Sequence, residues 1–303
     1  MNDLSSRRRF LQSLLDQGIF IGTGIPGVFG HGTAFLGLVE GLQRLIDRTC
    51  APDRPERVAF PPIIPRVILQ KTGYMENFPH LCGSVHAFVG DDRSHQKLIR
   101  RVEEGGDWSE YLQQTDVVLA PAGCYPVYAT IDRNLPAGGR VFDLSAHCFR
   151  HEPSDDPARM QAFQIRENVR AGTPEDVVSW RAAWMERAPS LLGSLGLDLH
   201  LDTASDPFFG RGGRMMKASQ EAQKLKFELL VPIWPDMEPT AVGSFNYHED
   251  HFGHAFGLRS ADGNCAHTAC VGFGLERIGL ALLHKHGLEQ ERWPSEVRQR
   301  LWP

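Results

Sequence analysis

Two short stretches of the chain carry residue types suited to phosphate-bearing substrates. The first is Phe149-Arg150-His151-Glu152, then a polar loop from Pro153 to Met160, then Phe163-Gln164-Ile165-Arg166-Glu167. Both flanks read as strands, so every second side chain of the pair converges on one sheet face beside the charged loop. The second is Gly272-Phe273-Gly274-Leu275-Glu276-Arg277, which leads into an apolar helix from Ile278 to Leu283. Glycines let a backbone approach a ligand closely, and an Arg at a helix start offers a planar, permanently charged fork to phosphate. Neither stretch is diagnostic alone. For the first, a purely structural reading stays open, in which Glu152 and Glu167 pair with Arg150 and Arg166 across neighbouring strands.

Two other patterns carry less. Cys265-x-His267-x-x-Cys270, with His248, His251 and His254 nearby, invites a zinc knuckle, but no second CxxC pair accompanies it and the histidines lie in a Phe/Gly-rich region. Gly22-Thr23-Gly24-Ile25-Pro26-Gly27 is Gly-rich but lacks the Lys-Ser/Thr of a phosphate-binding loop, so turn chemistry is the better reading.

The elements that must hold these residues can be read from periodicity and punctuation. Residues 4–20 read as a short amphipathic helix. Phe35, Leu36, Val39, Leu42, Leu45 and Ile46 recur at helical spacing, giving a helix from Thr33 to Arg48. Strand candidates come next at Val58-Ala59-Phe60 and Val67-Ile68-Leu69, interrupted by Pro61-Pro62. Further strands are expected at 84–89, 116–120, 126–131, 140–150, 162–169, 226–232, 241–246, 253–259 and 266–272. Helices are expected at 93–104, 107–113, 173–193, 214–225, 272–287 and 294–301. Without regular βαβ alternation, this order predicts an α+β domain around a mainly antiparallel sheet flanked by helices. Residues 31–303 then form one catalytic domain and residues 1–30 an N-terminal helical embellishment.

Composition sets the outer limits. The 303 residues are 42% hydrophobic and 23% charged, with 30 Gly and 20 Pro, which excludes fibrous and disordered classes. With 32 basic against 37 acidic residues the net charge is −5, so no broad cationic surface is available to grip a nucleic acid. The six scattered cysteines favour reduced thiols or metal ligands and a cytoplasmic setting. No apolar run is long enough to span a membrane. Ser6-Arg7-Arg8-Arg9-Phe10-Leu11 fits a twin-arginine export pattern, but the residues after it are only mildly apolar and include Asp16 and Gln17, and a helix with a basic face is the simpler reading.

The Arg150 and Arg277 stretches, in this order and separation, resemble motifs two and three of the class II aminoacyl-tRNA synthetases. The 33–48 helix, the strand after it and Pro61-Pro62 look like motif one. Cys124 stands in Pro121-Ala122-Gly123-Cys124, where seryl-type enzymes carry a Thr-x-Glu element for the substrate ammonium. The zinc-dependent seryl synthetases of methanogenic archaea use a Cys there, a Glu after motif two and a Cys before motif three, and Cys124, Glu167 and Cys270 match. The absence of a recognisable tRNA-binding extension is the pattern of the amino acid:[carrier protein] ligases.

That resemblance implies Zn²⁺ on Cys124, Glu167 and Cys270, with an open fourth position for the amine of a small amino acid, glycine or alanine, and Asn246 beside it. It implies that Arg150 holds the ATP α-phosphate, Glu152 accepts from the adenine amino group, Phe163 stacks on the adenine and Arg277 clamps the far side, with Mg²⁺ neutralising the triphosphate. The acidic Mg²⁺ residue of seryl-type enzymes falls on Thr240, which leaves Glu238 and Glu228 as displaced candidates. It further implies a homodimer and a phosphopantetheinylated carrier protein as acyl acceptor, with tRNA disfavoured. Arg211, Arg214, Lys217 and Lys224, around the 214–225 helix, offer either a docking face for an acidic carrier or a solvated surface. Two rival readings are a minimal seryl-type tRNA synthetase and a catalytically silent paralogue that senses an amino acid.

Overall fold

The computed structural model describes residues 4–303 apart from Arg211, Pro235 and Asp236, and apart from the side chains of Leu4 and Ser5. A seven-stranded sheet forms its centre. In spatial order its strands are Glu56–Arg57, Arg140–Phe149, Ala162–Gly172, His267–Gly274, Thr240–Glu249, Lys226–Val231 and His200–Thr203, antiparallel throughout except for the Glu56–Arg57 edge. A three-stranded sheet, Ile63–Pro65, Leu112–Leu119 and Ser84–Phe88, and a two-stranded ribbon, Phe20–Gly22 with Phe29–His31, lie apart from it.

Alternation along the central strands divides the sheet into two faces. One face, with Val242, Phe245, Ala269, Val271 and Phe273, packs under helices Thr33–Cys50, Pro174–Gly193 and Leu275–His286 in the largest core. Leu14, Ile19 and Phe20 of the N-terminal segment are buried in this same core. The other face carries Leu144, Ala146, Val169 and Cys270 and is covered in part by Val127, Tyr128 and Phe252 from two short helices, Tyr125–Thr130 and His251–Phe256.

Both of those short helices lie where sequence pattern favoured strands, at 126–131 and 253–259. Tyr, Val, Ile and Phe raise β-propensity, but Pro126 sits in the first turn of the Tyr125–Thr130 helix, where its missing N–H costs nothing. Val67-Ile68-Leu69 likewise lies within helix Arg66–Lys71 rather than a strand, and that helix starts directly after Pro65. The expected 107–113 helix is a single 3-10 turn, Ser109–Tyr111, succeeded at once by the Leu112–Leu119 strand. The strand expected at 58–60 is reduced to Glu56–Arg57 plus one Val58 N–H to Asp143 carbonyl bond of 3.0 Å. The remaining long elements fall within a few residues of their expected bounds, with the 214–225 helix shortened to Gly213–Ala222.

A two-lobed candidate active site

Strand register builds the site. One rung of the sheet reads Leu144, Glu167, Gly272, Ser244, Glu228, and the next rung on the same face, two residues along each strand, reads Phe142, Val169, Cys270, Asn246, Lys226. Directly paired residues share a face, so Glu167, Cys270, Asn246, Lys226 and Glu228 all project into one cleft. Gly272 stands between Glu167 and Ser244, and a Cβ there would come within 2.9 Å of Ile165 Cδ1; its bare backbone keeps the floor of the cleft open. Two adjoining cavities of about 160 and 450 Å³ result, and they share Arg150, Ile165, Asp206, Ser244 and Asn246 along their common border.

The larger cavity contains Cys124, Glu167 and Cys270, all buried, with their ligand atoms within 4.8 Å of one another. Cys124 arrives from the loop just before the Tyr125–Thr130 helix. Its thiol is held well above the ordinary range, first by the contact with Cys270, then by burial and by the Glu167 charge. Burial also raises the Glu167 carboxyl. At Cys270 the contact with Cys124 acts downward, but burial and the Glu167 charge carry the thiol upward. Glu167 Oε2 has no hydrogen-bond partner, and among the described residues no ion pair reaches this carboxylate. Three groups that are anionic when deprotonated, one with an orphaned oxygen, fit a thiophilic dication.

A second cluster shows what a satisfied acidic group looks like. Asp47, Cys50 and Asp143 also lie within 4.8 Å of one another, but the Arg166 guanidinium bonds both carboxylates there, with its Nε 2.7 Å from Asp143 Oδ1. Arg166 therefore does not pair with Glu167, and Glu152 meets Arg159 at 3.7 Å rather than Arg150. The open structural reading of paired Glu and Arg is not what the strands adopt.

The smaller cavity is walled by Arg150, Glu152, Pro157, Ala158, Met160 and Phe163 on one side and by Arg277 on the other. Arg150 places its guanidinium 5.4 Å from the Phe163 ring centroid and donates from Nε to the Pro121 carbonyl at 3.2 Å. Arg277 donates to the Ala158 and Ala241 carbonyls at 2.8 and 3.1 Å. Burial and the neighbouring Arg150 and Arg159 charges disfavour the Arg277 cation, which would be relieved by an incoming polyanion. Glu228 lines this cavity, whereas Glu238 is exposed and Thr240 takes no part in the lining.

Further side chains complete the cleft, and of these Lys226 and Asp206 carry no sequence signature. Lys226 bridges Asp206 at 2.7 Å and Glu228 at 2.9 Å inside the smaller cavity. His248 Nε2 lies 3.6 Å from Cys270 Sγ while its Nδ1 faces Thr268 Oγ1 at 3.1 Å; burial, with the His251 charge behind it, lowers its pKa to about 3, so it stays neutral. Asn246 donates to Cys270 Sγ at 3.4 Å. The Glu276 carboxylate accepts the Gln164 N–H at 2.8 and 2.9 Å, and burial raises it to about 7.

The knuckle pattern is not assembled. His267 pairs with Tyr247 Oη at 2.5 Å, His251 with the Thr72 carbonyl at 3.1 Å, His254 with Asp250 at 3.1 Å, and Cys265 with the Asp250 carbonyl at 3.8 Å. Only Cys270 of that set reaches a mutual ligand cluster among the described residues.

This sheet, its motif strands and the two-lobed cleft define a class II aminoacyl-tRNA synthetase catalytic core. M. kandleri SerRS, solved in complex with an A. aeolicus tRNASec, superposes with a TM-score of 0.81 over 96% of this chain at 22% identity, and the chain spans 60% of that protein. No family model matches the chain. Amino acid--[acyl-carrier-protein] ligase 1 of Bradyrhizobium diazoefficiens is 44% identical over 290 residues, covering 95% of this chain and 88% of that protein. The type-2 serine--tRNA ligase of Methanococcus aeolicus is 26% identical over 258 residues, covering 80% of this chain and 49% of that protein. The chain belongs to the amino acid--[acyl-carrier-protein] ligase family and is therefore a ligase.

Proposed function

We propose that the protein activates a small amino acid, glycine or alanine, with ATP and passes it to the phosphopantetheine thiol of a carrier protein. The observation that carries this reading is the buried Cys124, Glu167 and Cys270 trio opening into the same cleft as Arg150 and Arg277. The name of the family supports the acyl acceptor.

Cys124, Glu167 and Cys270 would hold Zn²⁺, which supplies a Lewis-acidic position for the free amine of the substrate. His248, Tyr128 and Phe252, the last two stacked at 4.3 Å, back the trio. Asn246 flanks it. Arg150 would meet the α-phosphate, Glu152 the adenine amino group, Phe163 the adenine face and Arg277 the outer phosphates. Mg²⁺ bound with ATP would neutralise the triphosphate, and Glu228, already in the cavity, is better placed for it than Glu238.

In the first step a substrate carboxylate oxygen attacks the α-phosphorus and the bond to pyrophosphate breaks, giving an aminoacyl adenylate. A carboxylate with a reference pKa near or below about 4 is ionised at neutral pH, so no general base is required. The cleft contributes position and charge. In the second step the carrier thiol sulfur forms a bond to the acyl carbon, the bond to AMP breaks, and the thiol proton leaves to the AMP phosphate or solvent.

The Gly213–Ala222 helix supports a carrier-docking face. It presents exposed Arg214 and Met215 with Lys217 beside them, Lys224 lies on exposed chain just beyond it, and Met216, Ser219 and Gln220 reach the larger cavity. Arg211, assigned to the same face, lies outside the described residues. Exposed Ile21, Ile25 and Leu36 support a homodimer. Among the described residues no helix is long and apolar enough to cross a membrane, and a cytoplasmic setting completes the reading. Pyrophosphate exchange with single amino acids, and then loading of pantetheinylated carrier and of tRNA side by side, tests it. Charging of tRNA alone would favour the seryl-type alternative, and no exchange at all would favour a silent sensor.

A further inference from the structure

Neither reaction step uses the segment that precedes Thr33, yet the structure ties it to the loop that covers the nucleotide lobe. The Leu4–Asp16 helix lays Arg7 against Asp156 at 3.4 Å and Arg8 against Asp155 at 3.2 Å. The Gly-rich turn then directs two carbonyls at one buried residue, one at its backbone and one at its side chain. Gln161, 6% exposed, donates its backbone N–H to Gly27 O at 2.7 Å and its Nε2 to Pro26 O at 2.8 Å. Gln161 in turn accepts the Arg150 N–H on its carbonyl at 2.8 Å. Gly27 has φ +73°, and a Cβ there would stand 3.3 Å from the Arg159 carbonyl, so the close approach needs this residue type.

The far side of the same loop belongs to the cleft. Pro157, Ala158 and Met160 line the smaller cavity, the Ala158 carbonyl accepts from Arg277 Nε at 2.8 Å, and Arg159 reaches Glu152 at 3.7 Å. The helix itself is anchored. Leu14 is fully buried, and the Phe10 ring meets Trp234 and His284 edge-on at 5.7 and 5.6 Å. A continuous set of bonds thus runs from the core through Arg7, Pro26 and Gly27 to Gln161 and the 153–160 loop, and ends at Arg150 and Arg277.

We infer that the N-terminal segment is a positioning brace for ATP: it holds the 153–160 loop and Gln161 in their nucleotide-binding arrangement before the nucleotide arrives. A loop ordered only on binding would lose its conformational entropy at that moment, at the expense of affinity, whereas a braced loop is ordered on folding. The inference rests on the ATP reading of the smaller cavity. Because the bonds made by the N-terminal segment itself end on Asp155, Asp156 and Gln161, and no residue of 153–161 lines the larger cavity, the brace acts on the KM for ATP and leaves the KM for the amino acid unchanged.

The test is steady-state pyrophosphate exchange on the full chain. Arg7→Glu removes a partly buried ion pair and sets like charges together, which raises the KM for ATP about fivefold, while the KM for the amino acid and the metal content stay as in the parent. Adding Asp156→Asn, which keeps the Oδ1 acceptor of the Ala158 N–H at 2.9 Å but removes the like charge, brings the KM for ATP part of the way back. Gln161→Leu leaves two turn carbonyls with one donor fewer and raises the same KM about tenfold. Hydrogen exchange of the 153–160 amides quickens in both single variants. An unchanged KM for ATP in both, or equal changes in both KM values with no rescue by Asp156→Asn, overturns the brace. A parent protein with no exchange at all overturns the ATP reading itself, and the brace with it.

Discussion

The two lobes of the cleft are unfinished in opposite senses. Around Cys124, Glu167 and Cys270 the protein has buried three potential anions, and among the described residues no ion pair reaches them. Around Arg150 and Arg277 it has brought together two guanidinium groups and given them backbone carbonyls and a phenyl ring rather than carboxylates. The cluster of Asp47, Asp143 and Arg166 shows that this chain does pair such groups where only structure is at stake. Each lobe therefore has the charge of its ligand missing: a dication on one side, a polyphosphate on the other. The cost of the arrangement falls on folding, and its return comes as binding energy where charge develops.

The contrast breaks most sharply at the nucleotide lobe. Arg277→Ala should lower exchange on the order of 10²- to 10³-fold with the fold intact, because a preorganised cation facing developing phosphate charge is lost. At the metal lobe, Cys270→Ser should release zinc, measured by metal analysis, and cut activation on the order of a hundredfold. Retention of full metal and full activity would remove Cys270 from the ligand set.

A third prediction concerns Glu276, whose folded pKa of about 7 lies above the ordinary carboxylate value of 4.5 because of burial. The folded state binds the proton more tightly than the unfolded one, so the stabilisation is complete below pH 4.5 and is lost as pH rises through 7. Denaturant titrations should show a decline over that window of no more than about 3 kcal/mol, absent in Glu276→Gln. The smallest effect sharpens the metal lobe: since Cys124, Glu167 and Cys270 are all shifted toward their protonated forms, zinc must displace protons. Zinc affinity should rise with pH, about tenfold per unit for each proton displaced, as read by competition with a chelator.

What could be read from sequence was local. Arg150, Glu152, Phe163, Glu167 and Arg277 lie in two short stretches that the structure brings to one cleft; alternation puts Phe163 and Glu167 on one face, while Arg150 and Glu152 follow the end of the Arg140–Phe149 strand and Arg277 sits in the first turn of the Leu275–His286 helix. Cys124 and Cys270 lie far apart in the chain, and only the family resemblance joined them in sequence; in the structure the turn before the Tyr125–Thr130 helix brings Cys124 to the sheet face that carries Cys270. Lys226 and Asp206 had no pattern to find, since a charged residue entering a cleft from a neighbouring strand or loop looks like any other, and His248 stood out only as a member of the knuckle pattern that does not assemble. The helices at Tyr125–Thr130 and His251–Phe256 were hidden for a different reason. Each is six residues long and rich in aromatic or β-branched side chains, so packing against Cys124 and the sheet decides its form rather than propensity. The role of the first thirty residues was hidden too, because it depends on where Gly27 meets Gln161.

The central claim is that the two unfinished lobes together activate a small amino acid. Pyrophosphate exchange by the purified protein across the twenty amino acids tests it most directly. Exchange with glycine or alanine, dependent on ATP and abolished by chelation of zinc, is the predicted result; no exchange with any of the twenty would contradict it.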